Sequence, residues 1–172
     1  INPTFCGPAS ISMVLNALGV ERPPSEETLG LGLWDQDNVF TDAMTAVKPR
    51  SGVEEDGMSL ENLADALRAH GLQAALTEAS ASDVDAFRER AIATLNDRDS
   101  FLLANYLRSV LGEEKGGHIS PVAAYDADTD RFLVLDVSRY KYPPIWVTAA
   151  DLFAAMDTGG DDWGRGFVVV SR

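Results

Sequence analysis

The chain is poor in the residues that staple or metallate small proteins. Its 172 residues hold one cysteine and two histidines. That count excludes an internal disulfide and any multi-thiolate zinc site within the chain, and two histidines add little to a metal centre. Basic side chains are also scarce, 14 against 27 acidic, for a formal charge of −13 at pH 7. Nucleic acids and anionic membranes both require a basic face, so no nucleic-acid partner and no membrane insertion are expected. Long hydrophobic runs are missing too. The longest uncharged stretch, residues 1–20, is interrupted by Asn2, Pro3, Pro8, Ser10, Ser12 and Asn16. Its apolar residues recur with a period instead of running on, as in an amphipathic helix and not a membrane span. The sequence opens on Ile1 without Met or a basic leader and so reads as a processed or trimmed product. Nothing in the residues fixes a compartment.

What remains is a globular composition, 45% hydrophobic and 8% aromatic, sufficient for one core. There is no repeat, low-complexity tract or long linker, so residues 1–172 are expected to form a single domain. From Ala9 to Leu18, apolar residues fall at Ile11, Val14, Leu15 and Leu18, the spacing of a helix with one buried face, with Pro8 in its first turn and Gly19 at its end. Residues 21–56 carry Pro23, Pro24, Pro49 and several glycines and are expected to hold only a short helix or two. Ser59 caps a helix predicted to reach His70, and 72–77 is strand-like. Ser82, with Asp85 three residues on, predicts the cap of a helix carrying Val84, Phe87, Ala91 and Leu95. The period then changes to two. Strands are predicted at 100–106, 119–125, 131–137 and 166–171, with one more helix at 149–156. Helices first and antiparallel strands afterwards define an α+β domain.

Two places carry chemistry. Cys6 stands before Gly7-Pro8-Ala9-Ser10, at the edge of the first helix, where backbone N–H groups and the helix dipole favour a thiolate. An ordinary cysteine is only about 3% thiolate at pH 7, so such help matters. A small buried hydrophobe is the plain alternative for a lone free cysteine. The second place is a hairpin. His118 opens one predicted strand, Asp136 lies in the next, and the run Asp126-Ala127-Asp128-Thr129-Asp130 is a turn by composition. A loop centred near Ala127 and Asp128 sets His118 and Asp136 opposite or nearly opposite one another, within carboxylate-to-imidazole reach. An Asp inside the apolar run Phe132-Leu133-Val134-Leu135 needs a partner, since an unpaired buried carboxylate is costly. Such a pair leaves the other ring nitrogen for a nucleophile. Cysteine, histidine, aspartate is also the chain order of papain-like enzymes. His70, at a helix end before Gly71, is expected to face solvent, and Arg108 and Lys141 to be solvated surface charges.

Read together, NPTFCGPAS…MVLNALG, GGHISPVAAYDADTDRFLVLDVSRYKYPPIWV and the closing RGF resemble the phytochelatin synthase family, especially its short prokaryotic members. The likeness runs over nearly the whole chain. It implies a papain-like fold, with an N-terminal helical part carrying the nucleophile packed against an antiparallel sheet. It makes Cys6 the nucleophile, His118 the general base and acid, and Asp136 the orienting acid. Substrate contacts fall by resemblance on Asn105, on the backbone of Gly117 and Ile119, and on Arg165 with an acidic neighbour, Asp161 or else Asp162; Arg139 and Tyr142 shape the site. The family's oxyanion-hole glutamine would lie one position ahead of Ile1, outside this chain, and the Cys-rich C-terminal domain of eukaryotic members is absent from it. The implied reaction cleaves the Cys–Gly bond of glutathione, releases glycine, and leaves a γ-Glu-Cys thioester on Cys6. Water would resolve it to γ-glutamylcysteine, or a second glutathione to a phytochelatin, with hydrolysis favoured in members of this type. No cofactor is implied; cadmium or a similar ion would enter as a thiolate complex of the substrate. Prokaryotic relatives suggest a homodimer. Two other classes stay open on the residues, a papain-like peptidase acting on peptides and a catalytically impaired thiol-binding relative.

Overall fold

A computed structural model describes residues 2–22, 32–158 and 164–172. Apolar spacing sets the first layer. α1 (Cys6–Ala17) buries Ile11, Val14 and Leu15, and it ends as its sequence predicts, with Gly19 at φ +62° and the Val20 N–H donating back to the Leu15 carbonyl. Two short helices follow, α2 (Asp42–Val47), capped by Thr41, and α3 (Arg50–Asp56). α4 (Leu60–Ala69) starts at a capping box in which the Ser59 hydroxyl accepts from the Asn62 N–H and the Asn62 side chain accepts from the Ser59 N–H. It turns Leu60, Leu63, Ala64 and Leu67 inward while Glu61 and Asp65 stay exposed.

One antiparallel sheet takes up the rest. Its strands are β1 (Gln73–Glu78), β2 (Ser100–Leu107), β3 (Gly117–Asp126), β4 (Arg131–Val134), β5 (Ile145–Thr148) and β6 (Gly166–Ser171), in the spatial order β1-β6-β2-β3-β4-β5. α5 (Val84–Leu95) and α6 (Ala149–Met156) complete the fold, with single turns of 3₁₀ helix at Ala79–Ala81 and Arg108–Leu111. The sheet is covered on both faces. Leu103, Ile119, Val168 and Val170 pack under α1 and α4, and Leu102, Ala104, Phe132, Phe167 and Val169 pack under α5 and α6. Central strands buried on both sides lose the apolar–polar alternation that a one-faced sheet shows. Among the described residues no helix is long and apolar enough to cross a membrane.

Four local expectations need correction. Asp83, not Ser82, caps α5, because its carboxylate accepts from the N–H groups of both Asp85 and Ala86. The strand predicted to reach residue 137 pairs only as far as Val134. A bulge between Val122 and Ala124 shifts the register there, and the chain beyond Leu135 turns away to build the site. β5 has no counterpart in the sequence reading, since it follows Pro143-Pro144 and is only four residues long. His70 is half-buried, not the solvent-facing residue expected. Trp34 packs edge-on against it at 5.1 Å, its Nε2 is enclosed, and burial holds its pKa below the usual range.

One glycine fixes the edge nearest the site. Gly166 has φ +157° opposite Glu78, and a Cβ there would lie 2.1 Å from the Thr77 carbonyl oxygen and 2.9 Å from the Ala79 nitrogen. Both are backbone atoms and cannot swing aside. The Ala79 N–H also donates to the Arg165 carbonyl at 2.9 Å, so the same contact anchors Arg165. Gly166→Ala is expected to destabilise the fold by about 2–3 kcal/mol through overpacking, read as a lowered midpoint of denaturant unfolding. An unchanged midpoint would refute the close approach.

Candidate functional site

Cys6 is the first residue of α1, half-buried. The preceding Phe5 supplies no side-chain cap, Pro8 has no N–H and the Ala9 N–H donates to the Phe5 carbonyl, so the N–H groups of Cys6 and Gly7 are the ones that can serve an anion. Gly7 lets Met58 pack close against the helix start, since a Cβ there would collide with the Met58 sulfur at 2.6 Å. The Ser10 hydroxyl donates to the Ile119 carbonyl at 3.1 Å, tying α1 to β3 beside the sulfur.

His118 stands near the start of β3, 4% exposed, across from Tyr106, whose ring meets the imidazole edge-on at 5.7 Å. Its Nε2 lies 3.1 Å from Asp136 Oδ1. The pair does not face across the hairpin, as the symmetric-turn arithmetic supposes. Asp136 lies two residues past the end of β4, where its Oδ1 accepts from the Ser138 N–H at 2.7 Å. The side chains therefore meet, but by a different backbone path. With Nε2 turned to Asp136, Nδ1 is the nitrogen left on the Cys6 side, where thiol and imidazole shift each other's protonation.

The sequence reading misplaced Arg108. It is not a solvated charge: the side chain is 8% exposed and sits against His118 and Asp136. One Nη lies 2.8 Å from His118 Nε2 and 3.0 Å from Asp136 Oδ1, and the other lies 2.8 Å from Asp136 Oδ2 and 2.7 Å from Glu113 Oε2. The Tyr142 ring covers the guanidinium at 4.6 Å. A signal for it existed in the sequence. A carboxylate in an apolar strand demands a partner, and Arg108 directly follows β2, which pairs with the strand of His118.

These contacts set the protonation states. Burial pushes the Cys6 thiol up, but the hydrogen bond and charge of His118, with backbone hydrogen bonds at Ile119 and Gly7, more than offset it and bring the thiol below its ordinary value. Burial opposes the His118 imidazolium, and the hydrogen bonds to Asp136 and Cys6 raise it above the usual range. Burial opposes the Asp136 carboxylate as well; His118 and Arg108 hold it ionised, below the usual carboxylate range. A depressed cysteine beside an elevated histidine favours the thiolate–imidazolium pair near neutrality.

Cys6 borders two separate clefts of similar size, about 200 and 210 Å³. The first is walled by Asp56, Met58, Asn105, Gly117, Ile119 and Arg165. Asn105 and Ile119 are register partners there, and Arg165 donates to the Thr158 hydroxyl at 3.2 Å. The second lies among Phe5, Ala9, Gln36, Val137, Arg139 and Tyr140. The expected contacts Asn105, Gly117, Ile119 and Arg165 thus gather in one cleft and Arg139 in the other. Tyr142 lines neither cleft; it lies on Arg108 and accepts from the Glu114 N–H. Lys141 is at the surface, paired with Glu114. Asp161 and Asp162 lie outside the described residues. Among the described residues, no group of three or more His, Cys, Asp or Glu is placed to hold a metal ion.

Fold and site together define an α+β protein with a thiol, an imidazole and a carboxylate gathered at the start of a helix. The sequence profile of the phytochelatin synthase family matches residues 1–167, and the chain belongs to that family. It is 33% identical over 172 residues to glutathione gamma-glutamylcysteinyltransferase 3 of Lotus japonicus and to glutathione gamma-glutamylcysteinyltransferase 1 of Arabidopsis thaliana, covering 99% of this chain and 35% and 34% of theirs. Against the glutathione gamma-glutamylcysteinyltransferase of Schizosaccharomyces pombe it is 30% identical over 154 residues, 90% of this chain and 36% of that one. The chain spans about a third of the length of these curated relatives.

Two tests address the electrostatics. Alkylation of Cys6 by iodoacetamide is expected to titrate below about 8.5, the ordinary thiol value, and to move up towards it in His118→Ala. An unmoved ordinary profile would refute the pairing. Arg108→Gln leaves two carboxylates without their buried cation and is expected to cost about 3 kcal/mol in denaturant unfolding. Because the folded Asp136 pKa is depressed, its stabilisation is present above the unfolded value near 3.9 and is lost as pH falls through the lower folded value. The variant should therefore lose stability at a higher pH than the wild type does.

Proposed function

We propose that this chain is a papain-like acyltransferase domain that cleaves the Cys–Gly peptide bond of glutathione and carries the γ-Glu-Cys unit on Cys6. The observation that supports it most is the Cys6–His118–Asp136 alignment at an uncapped helix start. It occurs in a chain whose relatives are named for γ-glutamylcysteine transfer from glutathione. Glutathione is anionic and the protein carries −13, so binding needs local cations, and each cleft beside the sulfur has one arginine, Arg165 or Arg139.

In this reading the γ-Glu end lies in the first cleft against Arg165 and Asn105. The Cys6 thiolate attacks the carbonyl carbon of the scissile bond, and the developing oxyanion is met by the first N–H groups of α1. Imidazolium His118 gives its proton to the departing glycine nitrogen as the C–N bond breaks, leaving neutral imidazole and a thioester on Cys6. Asp136 holds the ring and balances its charge throughout; Arg108 holds Asp136. In the second step His118 takes a proton from water, giving γ-glutamylcysteine, or from the α-amine of a second glutathione, giving a phytochelatin. A divalent heavy metal enters as a thiolate complex of the substrate and is not held by the domain.

Incubating the full-length protein with glutathione is expected to release glycine, with a γ-Glu-Cys thioester on Cys6 trapped by acid quench and mass spectrometry. Cys6→Ala should lower the rate by at least about a thousandfold. Glycine release that survives this substitution would refute the assignment, and chain elongation on adding cadmium would separate synthesis from hydrolysis.

A further inference from the structure

The proposed reaction uses the sulfur twice, as nucleophile and as leaving group, and the strand beside it keeps one backbone edge open. Antiparallel positions alternate between bonded and unbonded pairs. The Arg108 N–H donates to the Gly116 carbonyl at 3.0 Å, so in the same register Tyr106–His118 and Ala104–Ser120 are the bonded pairs of β2 and β3. Ile119, opposite Asn105 and between those pairs, turns its N–H and C=O away from β2. Two residues on, the Pro121 carbonyl faces the same way and accepts from the Leu135 N–H at 2.9 Å. Among the described residues no strand pairs with Ile119 on that edge. The pairing of β3 with β4 stops at Val122–Val134, and the chain beyond Leu135 turns away.

α1 takes the strand's place. The Ser10 hydroxyl, 0% exposed, donates to the Ile119 carbonyl at 3.1 Å. Cys6 and Ser10 are four residues apart on one face of the helix, and Cys6 and Ile119 wall the same cleft. With the carbonyl held by Ser10, the N–H of the same residue is the group left on the Cys6 side. Against the upward push of burial, the Ile119 backbone helps His118 bring the Cys6 thiol below its ordinary value, and of the two groups of a peptide only the N–H favours an anion. The charged groups around the sulfur are His118, with Asp136 and Arg108 behind it, Asp56 and Arg165 in the first cleft, and Arg139 in the second. None of them lies on α1.

Resting on the proposed function, we infer that Ser10 is a positioning residue of the nucleophile: by holding the Ile119 carbonyl it keeps the N–H of that residue on Cys6 Sγ, as a thiolate donor that acts beside His118 and independently of it. The N–H serves both steps. In the first it holds the attacking thiolate. In the second, the oxygen of water or the nitrogen of the acceptor amine bonds to the thioester carbon. The C–S bond breaks with its electron pair going to Sγ, and the proton of the attacking group passes to His118. The sulfur is again an anion, and the Ile119 N–H, which keeps its own proton, donates to it. A buried hydroxyl one turn along the helix thus sets the strength of the nucleophile and of the leaving group together.

The test reads the sulfur first and the reaction second. Alkylation of Cys6 by iodoacetamide is titrated in the full-length wild type, in Ser10→Ala and in Ile119→Pro, which deletes the N–H on a strand edge where Pro121 already lacks one. Each is repeated in a His118→Ala background. Ser10→Ala is expected to move the midpoint up by about half to one pH unit in both backgrounds, a three- to tenfold loss of thiolate at a pH below it, as for the weakening of one hydrogen bond to a charged group. Ile119→Pro should move it at least as far. With glutathione, Ser10→Ala is expected to lower kcat about three- to tenfold at unchanged KM. A titration that stays in place while the unfolding midpoint falls shows that Ser10 only packs α1 on β3, and overturns the inference. So does a shift that vanishes in the His118→Ala background, since Ser10 then acts through the imidazole. If Ile119→Pro does not fold, Ser10→Ala decides alone. Wild-type protein that leaves glutathione uncleaved overturns the proposed reaction and the second-step role, while the titration still decides the link from Ser10 to Cys6.

Discussion

The site depends on a buried guanidinium between two carboxylates. Taking Asp136 out of water next to an imidazole is costly, and a carboxylate there would gain a proton and lose its hold on His118 unless a permanent cation stood by. Arg108 is that cation. One Nη donates to Asp136 Oδ1 and the other to Glu113, the latter also 2.8 Å from Asp136 Oδ2 as an ion pair, so its own charge is compensated. A lysine offers one compact charge and no fork, and could not reach both Asp136 oxygens in the plane that Tyr142 covers. A buried ion pair of this kind is weak evidence for stability, since apolar replacements often hold a fold as well. Its place beside the reacting groups points instead to positioning and charge.

Much of the architecture was legible in the sequence because it rests on local rules. α4 can be read from Ser59 to Gly71, since a cap, a 3.6-residue period and a stop coincide. β6 and α6 match their predicted bounds because their apolar runs end at polar or glycine residues. Cys6 and His118 stood out by type and position, one at a helix start and one at a strand opening. What could not be read is whatever depends on partners far along the chain. The bulge near Ala123 shifts the hairpin by one residue, and no composition signal announces it. Arg108 looked like one of many surface charges because burial is a property of the assembled hairpins and the loop at Tyr142. His70 looked exposed because Trp34, which covers it, lies 36 residues earlier in a loop-rich stretch.

The sheet and the helices divide the work unevenly. α1 supplies the sulfur and the N–H groups of Cys6 and Gly7, and its position is fixed by packing through Ile11, Val14 and Leu15 and by the Ser10 bond to β3. The sheet contributes the groups that must not move. Asn105, Ile119 and His118 come from paired strands, and Arg165 is held by the tight Gly166–Thr77 contact. Each reacting group therefore sits at the end of a rigid element, while the residues expected to touch substrate ends, Arg139 and Arg165, lie on or beside loops whose backbones are tied at a few points. In the proposed reaction such a division keeps thiol, imidazole and carboxylate in place while the loops meet the substrate.

The charge count explains why the relay can be kept so dry. With thiol and neutral imidazole, the buried cluster of Arg108, Glu113 and Asp136 carries one net negative charge. With thiolate and imidazolium it carries the same. Moving the proton from Cys6 to His118 redistributes charge over a few ångströms without changing the total, so no counter-ion has to enter and no solvent has to be drawn in to follow the reaction. The acyl-enzyme state differs. The sulfur is then neutral and His118, having given up its proton, is neutral too, and again the sum is one negative charge. Nδ1, the nitrogen on the Cys6 side, is then without a proton, while Nε2 keeps its own on Asp136 Oδ1, 3.1 Å away. One arrangement of heavy atoms thus serves every protonation state the proposed reaction visits, and a rigid scaffold is enough.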